Sequence, residues 1–256
     1  MPPGCCEALM AKDYAKLLRK LDRPPSGPNW VRFIHDDPIR TAKAILAFLF
    51  GIPPFTYQGA YRAAKDRIEW GISDEAAIQV ALAKCSPIGR AHNEALIRAF
   101  LRYARERNYA TQNPIGFENG AFRISRGVVV PVAPLSIIRE HKKFVPIFMC
   151  GWSALALTLR QRRLLMTVYE DSFLSLTDYQ QSPAEVLFFP RIDASSKERE
   201  SEVWHRGDYD LLSQRELDES VEIFLLAREI VRNQLTTEAE ALRTRAHRDG
   251  SSEDGS

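Results

Sequence analysis

Residues 144–150 have the sequence Phe-Val-Pro-Ile-Phe-Met-Cys, and this stretch decides the fold. It contains no charged or hydroxyl side chain, so neither face of a strand formed by it would be polar. A strand of this kind has to be covered on both sides. We therefore predict that 144–150 is a buried strand in the middle of a sheet.

The sequence around this strand completes a unit over 89–191. In order, apolar periodicity and turn residues predict a helix at 89–108, strands at 121–126, 128–139 and 144–150, a helix at 151–171 and a strand at 184–190. The predicted fold class is thus α+β or α/β. An α-β-β-β-α-β core follows an N-terminal helical subdomain and precedes a long C-terminal helix.

The rest of the chain is predicted to be helical or irregular. Prolines and glycines mark the breaks, Asp37 and Ser73 are suitable helix N-caps, and Ser213 and Glu216 form a capping-box pattern. A polar loop is expected at 193–210. The predicted divisions are an N-terminal helix in 1–22 (7–21), a linker at 23–36, a helical subdomain at 37–88, the α/β domain at 89–237 and a disordered tail at 238–256.

Composition places the chain among soluble globular proteins. It has 256 residues, 45% of them hydrophobic and 27% charged. No apolar run approaches the roughly 18–20 residues that span a bilayer, and the first residues lack the pattern of a secretory signal. We expect a cytoplasmic protein without a membrane partner.

The cysteines do not predict a metal site. Cys5, Cys6, Cys85 and Cys150 fit no zinc-ligand spacing. Cys150 lies in an apolar run and is expected to be buried. No cofactor is predicted from these residues.

The charge of the chain is unevenly distributed. Residues 89–191 contain 14 Lys and Arg against 8 Asp and Glu, a balance of +6, whereas the whole chain is at +2. The excess is compatible with a solvated surface or with a polyanionic partner. The candidate nucleic-acid-binding residues are Arg160, Arg162, Arg163, Lys142 and Lys143.

Glu94 is the candidate catalytic residue. It falls on the same helical stripe as Ile97, Leu101 and Ala104, so its carboxylate is expected to face inward. A second interpretation is an acid near a helix start, where the macrodipole favours it.

Several common chemistries have no motif here. A phosphate-binding glycine loop and the serine nucleophile elbow are both missing. The five histidines are scattered, and none has a partner at the helical spacing of a zinc hydrolase.

The element order of 89–191, with a glutamate early in its first helix, resembles the core of restriction-endonuclease-like proteins, the PD-(D/E)XK nucleases. The resemblance implies that Glu94 helps to position a divalent metal. It also implies an Asp on the second core strand and an acid and a lysine on the third. Here the second strand has Pro134, Leu135 and Ser136, and the third has neither an acid nor a lysine within 144–150.

Three interpretations follow. The first is a non-catalytic restriction-endonuclease-like protein that binds nucleic acid or a protein, the latter through its N- or C-terminal helix. The second is a Mg²⁺-dependent nuclease with a migrated site that uses Glu94 with Glu118 or Glu185. The third is an interaction module unrelated to nucleases. The missing acids favour the first.

Overall fold

The structure, a computed structural model, describes residues 13–51, 53–109 and 115–250. The helices are α1 (Tyr14–Leu21), α2 (Gly27–Val31), α3 (Pro38–Phe50), α4 (Gln58–Trp70), α5 (Asp74–Leu82), α6 (Pro87–Arg107), α7 (Leu159–Tyr169) and α8 (Gln214–Gly250). The strands are β1 (Gly120–Ser125), β2 (Val128–Val132), β3 (Ser136–Glu140), β4 (Lys143–Cys150), β5 (Glu185–Phe188) and β6 (Glu202–His205). A π-helical turn, Glu170–Leu174, follows α7.

The central sheet has the spatial order β3-β4-β5-β6. β3 and β4 form an antiparallel hairpin, β4 and β5 run parallel, and β6 is antiparallel to β5. The parallel pair needs a crossover, which α7 provides. The hairpin turn holds His141 and Lys142 at positive φ, 48° and 67°, as a two-residue hairpin loop of the common twist requires. The predicted mixed class, with helices before the strands and a long C-terminal helix, is confirmed.

β4 is buried on both faces, as its sequence predicts. Its side chains alternate between two hydrophobic clusters: Val145 and Ile147 join α4, α5 and α6, whereas Phe148 and Cys150 join α2, α3, α7 and α8. Each such buried aliphatic or aromatic side chain contributes about 1.5–3 kcal/mol. The sheet therefore separates two helical layers, and its ends are the places where polar groups can reach solvent.

The strand predicted at 128–139 is two strands in different sheets. β2 ends at Val132 and pairs with β1 in a separate two-stranded sheet, whereas β3 begins at Ser136 in the central sheet. Pro134 lies in the break. A proline has no backbone N–H to donate to a ladder, so the chain changes sheets there.

The helix predicted at 151–171 begins later, at Leu159. Thr158 is its N-cap, and Gln161 returns a side-chain bond to the Thr158 N–H. The carbonyls of Gly151 and Trp152 accept hydrogen bonds from the Arg199 guanidinium. These residues therefore stay outside the helix, because a distant side chain already satisfies their backbone.

Two segments predicted to be irregular contain regular structure. The linker 23–36 includes α2, which forms because Trp30 and Val31 are both fully buried. The loop 193–210 includes β6, which adds an edge to the sheet through Val203 and the buried Trp204. Each apolar pair is too short to produce a periodic pattern in the sequence.

The helices predicted as one subdomain, 37–88, divide between the two layers. α3 packs on α8, whereas α4 and α5 pack on α6. Asp37 and Ser73 cap α3 and α5 as predicted. The helix predicted at 7–21 is seen from Tyr14 onward with Asp13 as its N-cap, and residues 7–12, like Cys5 and Cys6, lie outside the described residues.

α8 begins with the predicted reciprocal bonds between Ser213 and Glu216. It then continues to Gly250, so most of the tail predicted at 238–256 is helical, and 251–256 lie outside the described residues. The extension is rich in Ala, Arg and Glu, which are strong helix formers even without an apolar face. None of the helices in the described part of the chain combines the length and apolar character needed to cross a bilayer.

Candidate anion-binding site

Glu94 does not face inward as expected. It lies on the surface of α6 and is paired with Arg98 one turn later, with 37% of its side chain exposed. The inward position belongs to Asn93, which is fully buried beside Leu96 and Phe100. These apolar residues move the centre of the buried stripe toward Asn93 and turn Glu94 outward.

The other acids considered for a metal site are elsewhere. Glu118 is exposed before β1. Glu185 is buried at the start of β5 and bonds to Arg107, which lies about 20 Å along α6 from Glu94. Over the described ranges, no three His, Cys, Asp or Glu side chains are grouped to hold a metal ion. These residues do not fit a bound Mg²⁺.

The predicted arginine cluster is used within the fold. Arg160, Arg162 and Arg163 all project from α7 toward other segments of the chain. Their partners are Asp36 and Glu219 for Arg160, Tyr209 and Glu202 for Arg162, and Glu216 for Arg163. In the β3–β4 hairpin, Lys143 donates to the Gln181 carbonyl, and Lys142 is exposed in the turn. The arginines thus dock α8 and its preceding segment onto α7.

A different cationic site lies at the carboxyl ends of β4 and β5. Arg199 is 1% exposed. Its Nη1 donates to the carbonyls of Gly151 (3.3 Å), Trp152 (3.0 Å) and Phe189 (2.6 Å), and its Nη2 donates to the Tyr57 hydroxyl at 2.6 Å. Its Nε is buried and has no hydrogen-bond partner. The guanidinium is therefore held by dipoles rather than by a carboxylate.

Further cations surround Arg199. The Arg102 guanidinium donates to the backbone carbonyl of Arg199 at 2.6 Å, and Arg191 pairs with Arg199 in an isolated β-bridge. Arg191 Nη2 lies 3.3 Å from His92 Nδ1, and since a guanidinium only donates, this ring nitrogen accepts. We call Arg102, Arg191, Lys197, Arg199 and His92 the cationic cluster.

The cluster is not neutralised internally. Within 13–51, 53–109 and 115–250, none of its members forms an ion pair with Asp or Glu. Burial lowers the pKa of His92, and Arg191, Arg199 and Lys197 lower it further. Burial likewise lowers the pKa of Arg199, yet a guanidinium stays charged at neutral pH. An unpaired buried cation is costly, so this site has the electrostatics that attract an anion.

Its position in the fold also suits a ligand. Parallel strands direct their carboxyl ends to one edge, and in open α/β sheets ligands bind in the crevice at that edge. Gly151 follows β4 and donates its N–H to the Tyr61 hydroxyl at 2.7 Å. Tyr57 and Tyr61 thus add hydroxyl groups to a site whose charge comes from arginine.

Little in the sequence indicates this cluster. Arg199 lies in the polar stretch predicted to be a loop, with acids on both sides at Glu198 and Glu200. The one usable signal was Arg191, a cation placed directly after the strand predicted at 184–190. Strand polarity, which only the structure supplies, places Arg191 at the carboxyl ends of the parallel strands β4 and β5.

No family model, curated protein or solved structure matches this chain.

Proposed function

We propose that this protein acts by binding a phosphate-rich polyanion, nucleic acid, at the cationic cluster, without catalysing a reaction. The observation that carries the proposal is Arg199, a buried guanidinium with no carboxylate partner at the carboxyl end of a parallel strand pair. Phosphate oxygens would supply the negative charge that the fold does not.

Binding fits the residues better than catalysis does. The described carboxylates do not assemble around a metal position, and the Glu94 carboxylate forms an ion pair with Arg98. In this proposal the chain is a restriction-endonuclease-like protein, on the element order of its sequence, that lacks the acids of that family. The more exposed members, Arg191, Lys197 and Arg102, would contact the phosphates, while Arg199 adds positive potential from beneath.

The experiment is a titration of short labelled duplex DNA, single-stranded DNA and single-stranded RNA, followed by fluorescence anisotropy. It compares the wild type with Arg191→Gln and Lys197→Gln, and with Arg215→Gln as a matched control, because Arg215 is an exposed arginine on α8. We expect each cluster substitution to weaken binding and to reduce the salt slope by about 1.

The control should keep both the affinity and the salt slope of the wild type. Absence of binding to all three probes at about 50 mM salt would refute the proposal, and a protein partner would then become the better interpretation. Equal losses in the control and the cluster variants would place the polyanion elsewhere on the surface.

A further inference from the structure

A cleft lies beside Phe55, between the first turns of α4 and α6 and the end of α5. Its volume is ≈ 700 Å³, within the range of pockets that bind small organic molecules. Phe55, Val80 and Ala83 supply apolar surface, and Arg62 and Lys84 supply charge. It is thus roomy enough for a ring-sized ligand.

The aromatic wall of the cleft is fixed in orientation. The Phe55 ring stacks on the His92 ring, with centroids 4.3 Å apart and planes 5° apart, and Tyr57 meets it edge-on at 5.2 Å. Phe55 is half-buried, so part of the ring remains available to the cleft. A planar apolar ligand could pack on it as aromatic pairs do.

The backbone around the cleft is closely packed. A Cβ added at Gly59 would lie 2.2 Å from the Ala81 carbonyl oxygen, and one added at Gly89 would lie 2.8 Å from the Phe55 Cβ. Because neither position has room for a side chain, α4 packs directly on α5, and the first turn of α6 packs directly on the 53–57 segment. The shape of the cleft is therefore set by close backbone packing at the ends of α4, α5 and α6.

The charge of the cleft has one sign. None of the described residues that line it is Asp or Glu. The Arg62 side chain is 69% exposed, and its Nε lies 3.8 Å from the Asp66 carboxylate, which is a long distance for an ion pair. Lys84 has no ion-pair partner among the residues the structure describes. An anionic group would therefore meet two cations whose charge is little compensated.

We infer that this cleft binds a small organic anion with an apolar, ring-sized body. Its apolar part would pack against Phe55, Val80 and Ala83, and its carboxylate or phosphate group would face Arg62 and Lys84. The inference stands apart from nucleic-acid binding, because the lining of the cleft includes no member of the cationic cluster.

Cys85 provides a local reporter, since it lines the cleft and is half-buried, whereas Cys150 is buried and serves as an internal reference. The rate of Cys85 alkylation by iodoacetamide is followed by peptide mass spectrometry with phenyl phosphate, benzoate or neutral benzyl alcohol present. A ligand over Cys85 slows this rate by a factor of 1 + [L]/Kd, about fivefold at about four times its Kd. We expect both anions to protect at lower concentration than the alcohol.

Two variants test charge and shape separately. The double variant Arg62→Gln/Lys84→Gln should abolish the advantage of the anions and leave the protection by benzyl alcohol unchanged. Ala83→Phe, at an exposed position, should fill the cleft and remove binding of all three probes, checked by ligand-observed NMR because the new ring could itself shield Cys85. Lys43→Gln, on α3, is the matched control and should behave as the wild type.

Phenyl phosphate and benzoate distinguish the two anionic groups, and the more protective one identifies the preferred chemistry. Equal protection by the anions and the alcohol, or no protection by any of them, would overturn the inference. Unchanged anion binding in the double variant would overturn it as well. None of these outcomes bears on DNA or RNA titrations of the Arg191→Gln and Lys197→Gln variants.

Discussion

The Glu94 carboxylate accepts two hydrogen bonds from the Arg98 guanidinium, at 2.9 and 2.7 Å, on the exposed face of α6. The adjacent Asn93 points into the protein. It accepts from the Ala60 N–H at 3.0 Å and donates to the carbonyls of Thr56 and Gly89 at 2.8 and 3.0 Å. Tyr57 gives α4 no side-chain cap, so Asn93 caps that helix from α6.

Replacing Asn93 should therefore be far more damaging than replacing Glu94. Asn93→Leu leaves the buried Ala60 N–H without an acceptor, and we expect it to lower the free energy of unfolding by about 2–3 kcal/mol. Glu94→Gln removes only a partly exposed ion pair and should cost less than about 1 kcal/mol. Urea unfolding with comparable m-values measures both. A larger loss from Glu94→Gln would mean that its carboxylate has a role beyond the pair with Arg98.

Arg199 is expected to stabilise the fold as well as to add positive charge to the cationic cluster. Arg199→Met removes the donor shared by the carbonyls of Gly151, Trp152 and Phe189, and should lower the free energy of unfolding by about 3 kcal/mol. Arg191→Gln, at a partly exposed position, should lower it by less than about 1 kcal/mol. Thermal and urea unfolding of the two variants compare them directly. If Arg199→Met were neutral, the carbonyls would have found other donors and Arg199 would not be holding the strand ends.

The sequence predicted those parts of the fold whose signal is local. β4 has no polar residue, so its burial follows from composition, and the α8 N-terminus follows from the Ser213 and Glu216 capping pattern. The α7 N-terminus has a local signal, the Thr158 and Gln161 capping box, which the predicted helix start at Gly151 overlooks. What the sequence could not indicate is that Arg199, which is distant in the sequence, bonds the carbonyls of Gly151 and Trp152. Likewise, the 3.6-residue period places Glu94 on the inward stripe, whereas packing of α6 against α4 turns Asn93 inward instead.

The candidate site was beyond local patterns for the same reason. Arginines at 160, 162 and 163 are conspicuous in the sequence, yet their partners are carboxylates and carbonyls of other segments of the fold. Arg199 is inconspicuous between two glutamates. Whether a cation is neutralised depends on tertiary contacts. These contacts pair the arginines of α7 with carboxylates and leave the cationic cluster without such pairs.

The buried Glu185 should make the protein sensitive to alkaline pH. Tyr103 and Tyr109 donate to its carboxylate at 3.1 and 2.6 Å, alongside Arg107 at 2.6 Å. Burial, and then the Glu185 charge, raise the pKa of Tyr103 to about 12, and the same two causes raise the pKa of Tyr109.

A tyrosine with a raised pKa in the folded state contributes stability that is fully present below its unfolded pKa of about 10 and lost above it. We therefore expect the free energy of unfolding to fall as pH rises from about 10 to 12. Tyr103→Phe and Tyr109→Phe should flatten this decline, at a cost of about 1 kcal/mol each at neutral pH. Ultraviolet absorbance of tyrosinate follows the titration itself. Normal titration of every tyrosine in the folded protein would contradict the network.

His92 should make nucleic-acid binding depend on pH, if the cationic cluster is the binding site. Its pKa is lowered by burial and by the neighbouring cations, so the free imidazole is neutral at pH 7. Phosphate bound at Arg191 and Lys197 would offset those positive charges and raise the pKa of His92. Binding then takes up a proton, and the affinity should increase as pH falls below about 6.5.

Stability should change in the opposite direction over the same window. A histidine whose folded pKa is lowered contributes stability that is present above its unfolded pKa of about 6.5 and is lost as pH falls toward the folded value. In wild-type protein, anisotropy titrations from pH 7.5 to 5.5 should thus show tighter binding while urea unfolding shows a lower free energy. His92→Gln should flatten both profiles, and His205→Gln, an exposed histidine on β6, should change neither. Affinity that stays constant with pH in the wild type would place the bound phosphates away from His92.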